Sequence, residues 1–494
     1  MSEWASRISR RFWGGVGDRI LESGALDDVL KQPGLPADSV ARLSDYMRRW
    51  AYWENDRLYR RLYRAGQCAQ EVPTEWNPVP ASVQFYITNT LRDADKVQPL
   101  DEAADAAALA EAVGQIWEWS NFQTMRRQVT RTAAVLGDVF LKVAEKRPSD
   151  DAPVVAVYMQ EIDPRRVVWW EADERGFLTA VRIDTPRLDS IFTGETRRHT
   201  LVEVWRKDWA GPGTGGVAFF EVGPTAPLDD DRLGEAVAFR SFDDLGYDFI
   251  PLVWARVPTP WVAMTDSIDL YNVRSWVAAR LNRPLYVVRS NTLDSRGAPL
   301  PAPRMDAEAL EAGYTDVGDG AVGVLYMPGM ADIQPAGSPA DLAALGMQLA
   351  AVRQGIIDAL PEYRIATLDA STQLATETLE LLLSHASQRV LDTRAELERA
   401  LVRAHMMAIT IAQTAELLPE LFAPERVGTY DDGRINHEFV ERPVFAKSAT
   451  ARAAEVQALV GAGASIEGAA AVAGYSDAEV EALIRGDVVD GVTQ

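Results

Sequence analysis

Between residues 339 and 360 the apolar positions Leu342, Leu345, Leu349, Val352 and Ile356 follow one another at spacings of 3, 4, 3 and 4. Such a stripe predicts a helix with a seam for packing against another helix. A longer stripe follows, through Leu379, Leu383, Ala386, Val390, Leu397, Leu401, Ala404 and Ile411. It predicts a helix over 374–417, about 66 Å long at 1.5 Å per residue. That exceeds the usual globular helix and implies a structural spine or several linked pieces. Between the two stripes runs "LPEYRIATLDASTQLATETLELLL", 360–383. Its middle is rich in Thr, Ser, Ala and Asp and too long for a tight turn. The expectation is a loop over 361–372, with Pro361 stopping the first helix and Asp369 or Ser371 capping the second.

Elsewhere the periods alternate. Helical spacing over 37–65 carries Leu43, Tyr46, Met47, Trp50, Trp53, Leu58 and Leu62, together with Arg48, Arg49, Arg57, Arg60, Arg61 and Arg64. A solvated arginine face over aromatic packing is the plain reading; a partner contact is the sharper one. Residues 66–80 read as loop, 101–119 and 121–136 as helices ending at Gly137. Then β-branched and aromatic runs predict strands: "DVFLKVAEK", "VVAVYMQEI", "VVWWEAD", "LTAVRID", "LVEVWRKD", "AFFEVG" and "FIPLVWARV". The segment "AGPGTGGV", 210–217, reads as a flexible turn. Helical character returns over 264–283, where Ile268, Tyr271, Asn272, Ser275, Trp276 and Ala279 share a face, and Pro284 ends it. Short strands and Pro/Gly-rich loops fill 284–337. Residues 418–447 read as irregular, with closing helices at 448–462 and 476–485 and "GASIEGAAAVAGYSD" as their connection.

Composition narrows this picture. The 494 residues suffice for several domains, and 47% hydrophobic content is ordinary for a globular chain. The net charge of −22 disfavours tight, phosphate-neutralising binding of nucleic acid. One cysteine, Cys68, permits no intrachain disulfide and no cysteine-rich zinc site, which fits a reducing compartment. The first twenty residues carry charges where a signal peptide needs an apolar core, and no eighteen-residue apolar run occurs, so no membrane span is expected.

The search for chemistry returns little. His199, His385, His405 and His437 are scattered, with His385 and His405 about 30 Å apart if their helix is straight. HExxH, GxSxG and Walker patterns are missing from the sequence. The glycine-rich "DVGDGAVGVLYMPG", 316–329, precedes a strand and so lacks the context of a dinucleotide site. "LDDDR" and "TYDDGR" read as surface turns rather than calcium loops. Glu377 and Glu380 share a helix face, where solvation or an intersubunit salt bridge outweighs acid–base work. Cys68 reads as a structural thiol. No catalytic, metal or cofactor site is expected.

The order of parts resembles the portal proteins of tailed bacteriophages, the siphophage-type head–tail connectors. The resemblance rests on "YMRRWAYWENDRLYRRLYRAGQ" (46–67), "RTAAVLGDVFLKVAEK" (131–146), "FIPLVWARVPTPWVAMTDSIDLYNVRSWVAARLNRP" (249–284) and "GVLYMPGMADIQPAGSPADLAALGMQLAAVRQGIIDALPEY" (323–363). It extends to "SATARAAEVQALVGAGASIEGAAAVAGYSDAEVEALI" (448–484). Ala370, Ser371 and Thr372 stand where many relatives have Ser-Gly, and 210–248 aligns with nothing. The resemblance implies an α+β portal fold: wing 1–263, stem helix 264–283, clip 284–337, second stem helix 338–360, tunnel loop 361–372, long wing helix 373–417 and crown 418–494. It implies a non-enzymatic ring, typically of twelve subunits, at one capsid vertex of a virion made in the bacterial cytoplasm. Double-stranded DNA would pass through the ring. The large terminase, the major capsid protein and head–tail connector proteins would be its partners, with no membrane and no cofactor.

On that reading Tyr363, Arg364, Thr367, Asp369, Ser371 and Thr372 would face DNA. Ile268, Tyr271, Trp276, Leu342, Leu345, Leu349, Val352 and Ile356 would pack between subunits. Over 338–418 ten acidic and six basic side chains give a net −4, a lining that would let DNA slide; the arginines there would bridge subunits. The alternatives are another head–tail adaptor or scaffolding-type virion protein and, more remotely, a carboxylate glycosidase of the virion.

Overall fold

The computed structural model describes residues 37–55, 76–92, 94, 96–101, 105–148, 152–188, 198–209, 215–222, 236–281, 285–290, 323–328, 333–335, 339–367, 376–440, 442, 444, 449–473, 475 and 480. The second part of the expected helix, 56–65, the 210–214 turn, the Asp-rich 228–232 and the bulk of 476–485 lie outside them. In chain order the elements are α1 (Ala37–Glu54), α2 (Val79–Asn89), β1 (Val97–Pro99), α3 (Ala106–Ser120), α4 (Phe122–Leu136), β2 (Asp138–Lys146), β3 (Ala156–Ile162), β4 (Val167–Ala172) and β5 (Leu178–Leu188). Next come β6 (Arg198–Arg206), β7 (Gly216–Val222), β8 (Ala238–Ser241), α5 (Phe242–Leu245), β9 (Leu252–Arg256) and a 3-10 turn (Pro260–Met264). Then follow α6 (Thr265–Leu281), β10 (Leu285–Ser290), β11 (Gly323–Pro328), β12 (Ile333–Pro335), α7 (Pro339–Ala359) and α8 (Pro361–Ala366). The chain ends with α9 (Thr376–Thr414), α10 (Pro424–Val427), β13 (His437–Phe439), α11 (Ala449–Gly461) and α12 (Ile466–Val472). The class is α+β, and the chain divides into two compact units.

The larger unit holds the described parts of 37–53, 81–259 and 376–480. Its centre is a three-stranded antiparallel sheet in the order β3-β2-β9, covered by α3, α4 and α9. The reason is apolar patterning. Leu397, Leu401, Ala404, Ala408 and Ile411 of α9 recur at helical spacing and are all 0–1% exposed. They meet Ile116, Val129, Val139, Leu141 and Met159 in one core. Burying a leucine of this kind stabilises by about 1.5–3 kcal/mol. Asp105 caps α3, its side chain accepting from the backbone N–H groups of Ala107 and Ala108. Gly137 ends α4 in the left-handed region at φ 83°, and the chain turns at once into β2. A second sheet, β4-β5-β6-β7-β8, is an antiparallel meander. Lys142 of β2 donates to Glu203 of β6 at 2.7 Å, linking the two sheets. A register shift lies in β4 between Val167 and Trp169. Arg42 of α1 donates to the Val167 and Val168 carbonyls there, at 2.9 and 2.6 Å, and lies over the Trp170 ring.

The smaller unit holds the described parts of 54–80 and 260–367. In it α6 packs against α7, and β10 pairs parallel with β11 and antiparallel with β12. Trp261, in the 3-10 turn ahead of α6, is fully buried.

Three expectations are corrected. Residues 361–366 form the helix α8 instead of the start of a loop, because Pro361 suits a first helical turn as well as it ends the preceding one. "GASIEGAAAVAGYSD" is not a plain connection, since α12 forms within its alanine run and buries Ala469, Ala470 and Ala473 against Val456 and Tyr475. The flexible turn expected over 210–217 gives way at Gly216, where β7 begins, and with the expected "AFFEVG" strand and β8 it completes the larger sheet ahead of α5. Its β7–β8 contact is close at Gly216, where an added Cβ would stand 2.2 Å from the Arg240 carbonyl oxygen.

Candidate functional site

Trp76 organises the junction of α6, α7 and α8 within the smaller unit. Asn272 of α6 holds its backbone from both sides: the Asn272 side-chain oxygen accepts from the Trp76 N–H at 3.0 Å, and Nδ2 donates to the Trp76 carbonyl at 2.9 Å. The same Nδ2 donates to Ile268 O at 3.0 Å, so the amide is locked in one orientation. The Trp76 indole meets Tyr271 and Tyr363 edge-on, with centroids 5.2 and 5.8 Å apart. Its Nε1–H donates to the Tyr363 hydroxyl at 3.0 Å. The Arg353 guanidinium lies 5.3 Å from the Trp76 ring centroid. Pro361 keeps Leu360 out of helical conformation, so α7 ends at Ala359 and the Leu360 ψ of 74° sets the bend to α8. A shallow groove lined by Tyr271, Gly346, Leu349, Ala350, Arg353 and Ile357 runs beside this junction.

The predicted packing residues separate into two kinds. Ile268 is fully buried and Ile356 is 2% exposed, so the chain itself consumes both. Tyr271 packs on Trp76, while Leu345, Leu349 and Val352 are only half-buried. Met347, on the same helix, is 70% exposed, and Leu270 of α6 is 39% exposed. Trp276 and Leu342 are on described helices, but their side chains lie outside the described residues. Of the predicted DNA-facing residues, Tyr363 is engaged with Trp76, Arg364 is half-buried on α8, and Thr367 is exposed with its hydroxyl donating to Tyr363 O at 2.9 Å. Asp369, Ser371 and Thr372 lie outside the described residues, as do Cys68, Arg57, Arg60, Arg61 and Arg64.

The arginines of the first helix and of the spine are largely occupied inside the larger unit. Arg49 donates to Leu136 O at 2.7 Å and pairs with Asp45. Arg394 of α9, 5% exposed, donates to the Asn89, Thr90 and Arg442 carbonyls at 3.0, 2.9 and 2.8 Å. It thereby caps the C-terminus of α2, where unsatisfied carbonyls and the helix dipole favour a cation. Arg403 donates to Arg175 O and covers Phe177. Within the chain, Arg394 is thus spent on buried carbonyls, while Arg403 stays half-exposed. "TYDDGR" is a surface turn as expected: Asp432 accepts from the Thr429 and Arg434 N–H groups, and the Arg434 guanidinium holds its pKa down at about 2.

The structure joins two histidines that sequence spacing left apart. His405 of α9 and His437 of β13 stack with centroids 5.3 Å apart, their Nδ1 and Nε2 atoms 3.1 Å from each other. Trp117 of α3 donates to His405 Nε2 at 2.9 Å. They are 32 residues apart in sequence, and only the return of β13 to pair with β1 brings them together. Among the described residues no group of three His, Cys, Asp or Glu side chains is placed to hold a metal ion. No described helix is long and apolar enough to cross a membrane.

No family model matches the chain, and no curated protein matches it. Among solved structures it is similar to one described as the neck of an empty GTA particle computed with C6 symmetry, at 15% identity over 82% of this chain and 92% of that one, with a TM-score of 0.39. That likeness is too remote to assign a role.

Proposed function

We propose that this chain is a viral portal protein, a non-enzymatic structural component of a virion. Copies close into a ring, expected to contain twelve, at one capsid vertex. Double-stranded DNA is packaged and ejected through the ring, and the large terminase, the major capsid protein and head–tail connector proteins dock on it. One observation carries the reading: α7 leaves Leu345, Leu349 and Val352 partly on the surface, although their spacing is that of a packing seam, and Met347 on another side of the helix is 70% exposed. A ring offers each such face a neighbour, because a head-to-tail interface that closes uses two different surfaces of every copy. The helix–strand–helix–short helix–long helix succession from α6 to α9 supports it as well.

On this reading the excess of acidic groups over 338–418 keeps the passage weakly binding, since a basic lining would hold the phosphates and stall transport. Arg364 and Thr367 are the described groups that would touch the DNA backbone, as reversible phosphate contacts. Native mass measurement and negative-stain micrographs of the purified protein test the proposal. Annular particles with a central hole, of mass an integer multiple of 54.4 kDa, are expected. A monomer at every concentration would overturn it, and a small oligomer without a hole would favour a head–tail adaptor instead.

A further inference from the structure

The bonds around the two buried histidines run in a single direction. The Trp117 indole N–H can only donate, so His405 Nε2 accepts and carries no proton. The Ile435 carbonyl can only accept, so His437 Nδ1, 2.8 Å away, carries one. His405 Nδ1 then holds its proton and donates to His437 Nε2 across 3.1 Å. Every ring nitrogen is satisfied, and both imidazoles are neutral. An added proton has nowhere to go. On His405 Nε2 it would face the indole N–H; on His437 Nε2 it would face the His405 N–H. If His405 turned over its tautomer to relieve the second clash, it would create the first.

We propose that this one-way chain is an acid-sensitive joint: it fastens the β1–β13 strand pair to α3 and the long helix α9 while both histidines are neutral, and it opens when they are protonated. The joint has the right placement for that. His405 is fully buried and His437 is 2% exposed. Trp117, Phe122 and Phe439 supply the surrounding aromatic packing, with Phe439 in β13 itself and 6.0 Å centroid to centroid from His405. The β1–β13 ladder is only three residues long, Val97 to Pro99 against Phe439 to His437, so it depends on such contacts.

The ionisable groups on the packed elements face elsewhere. Glu111 and Glu118 of α3, Lys96 beside β1 and Glu438 of β13 are exposed. Glu398 of α9 pairs with Arg442, and Arg403 lies over Phe177. Burial therefore lowers the pKa of His405 well below its ordinary value, with His437 adding to the effect. Burial likewise lowers that of His437, opposed by its bond to Ile435. The sign follows. A histidine whose folded pKa lies below the unfolded value contributes stability that is complete above about pH 6.5 and is lost as the pH falls below it. If the closed joint binds no proton and the open one titrates normally, the opening equilibrium rises roughly 30-fold per histidine at pH 5, or about a thousandfold for two.

Hydrogen exchange of the full chain, corrected for the intrinsic exchange rate, measures this directly. Peptides covering 97–99 and 437–439 are expected to lose at least tenfold in protection between pH 7.5 and pH 5, while the β2 and β5 ladders keep theirs. The variant His405→Gln/His437→Gln retains an acceptor for Trp117 without titrating, and its exchange at these peptides should no longer depend on pH. His385→Gln, at an exposed position, should respond as the parent does. Protection at 97–99 and 437–439 that stays within threefold across the range in the parent chain would overturn the proposal. So would an undiminished response in the double variant. If the double variant fails to fold, the single variant His437→Gln is read in its place: a response reduced to about the one-histidine level sustains the proposal, and an unchanged one overturns it.

Discussion

Two helices of this protein carry nearly the same apolar spacing and meet opposite fates. On α9, Leu397, Leu401, Ala404 and Ile411 are buried to within 1% and complete the core over the β3-β2-β9 sheet. On α7, Leu345, Leu349 and Val352 are half-buried and Met347 stands 70% exposed. The pattern is a statement about a stripe, not about what covers it. For α9 the cover is the chain's own sheet. For α7 the described residues supply Ile268 and the Trp76 junction and leave Leu345, Leu349 and Val352 only partly covered.

The comparison can be broken most sharply at the two leucine positions. Leu401→Ala is expected to cost about 2–5 kcal/mol in urea unfolding, since it leaves a cavity in a packed core. Leu349→Ala should cost the single chain less than about 1 kcal/mol, yet reduce the ring population seen by native mass measurement. Equal losses of chain stability at the two sites would abolish the distinction. Arg394→Met leaves the carbonyls of Asn89 and Thr90 without their buried donor, and a loss of about 1–3 kcal/mol is expected in the same assay. A neutral result would mean that water or a neighbouring group caps α2 equally well. Met347→Lys sharpens the α7 side: the unfolding free energy of the single chain should change by no more than about 0.5 kcal/mol, while, on the proposed ring reading, rings become scarcer. The smallest effect is expected far from both helices, at the exposed Asp432 turn. There the folded pKa is depressed, so its contribution is present above about pH 4 and fades as the pH falls through about 2. Arg434→Ala should move that fading to higher pH, as followed by exchange of the 429–434 amides.

Much of the fold was legible because period and punctuation agreed. The α3–α4 pair with its Gly137 stop, the β2 run, the α7 limits and the span of α9 all follow from spacing plus a glycine or proline at the end. The parts that were not legible share a cause. Helix α8 hides in a segment whose polar composition looked like loop, since a six-residue helix shows no full apolar period. Helix α12 is an alanine run, where helical propensity without a stripe gave no signal. The histidine chain depends on a strand of three residues pairing across the length of the unit, which no local pattern encodes. Arg49 and Arg394 read as surface or bridging charges because sequence shows their charge but not the backbone carbonyls they were folded to meet.

The pairing of Val97 with Phe439, and of Arg394 with the end of α2, joins stretches of chain separated by some three hundred residues. The first strand therefore gains its partner only after some three hundred further residues have been made, and the end of α2 waits as long with its carbonyls solvated by water.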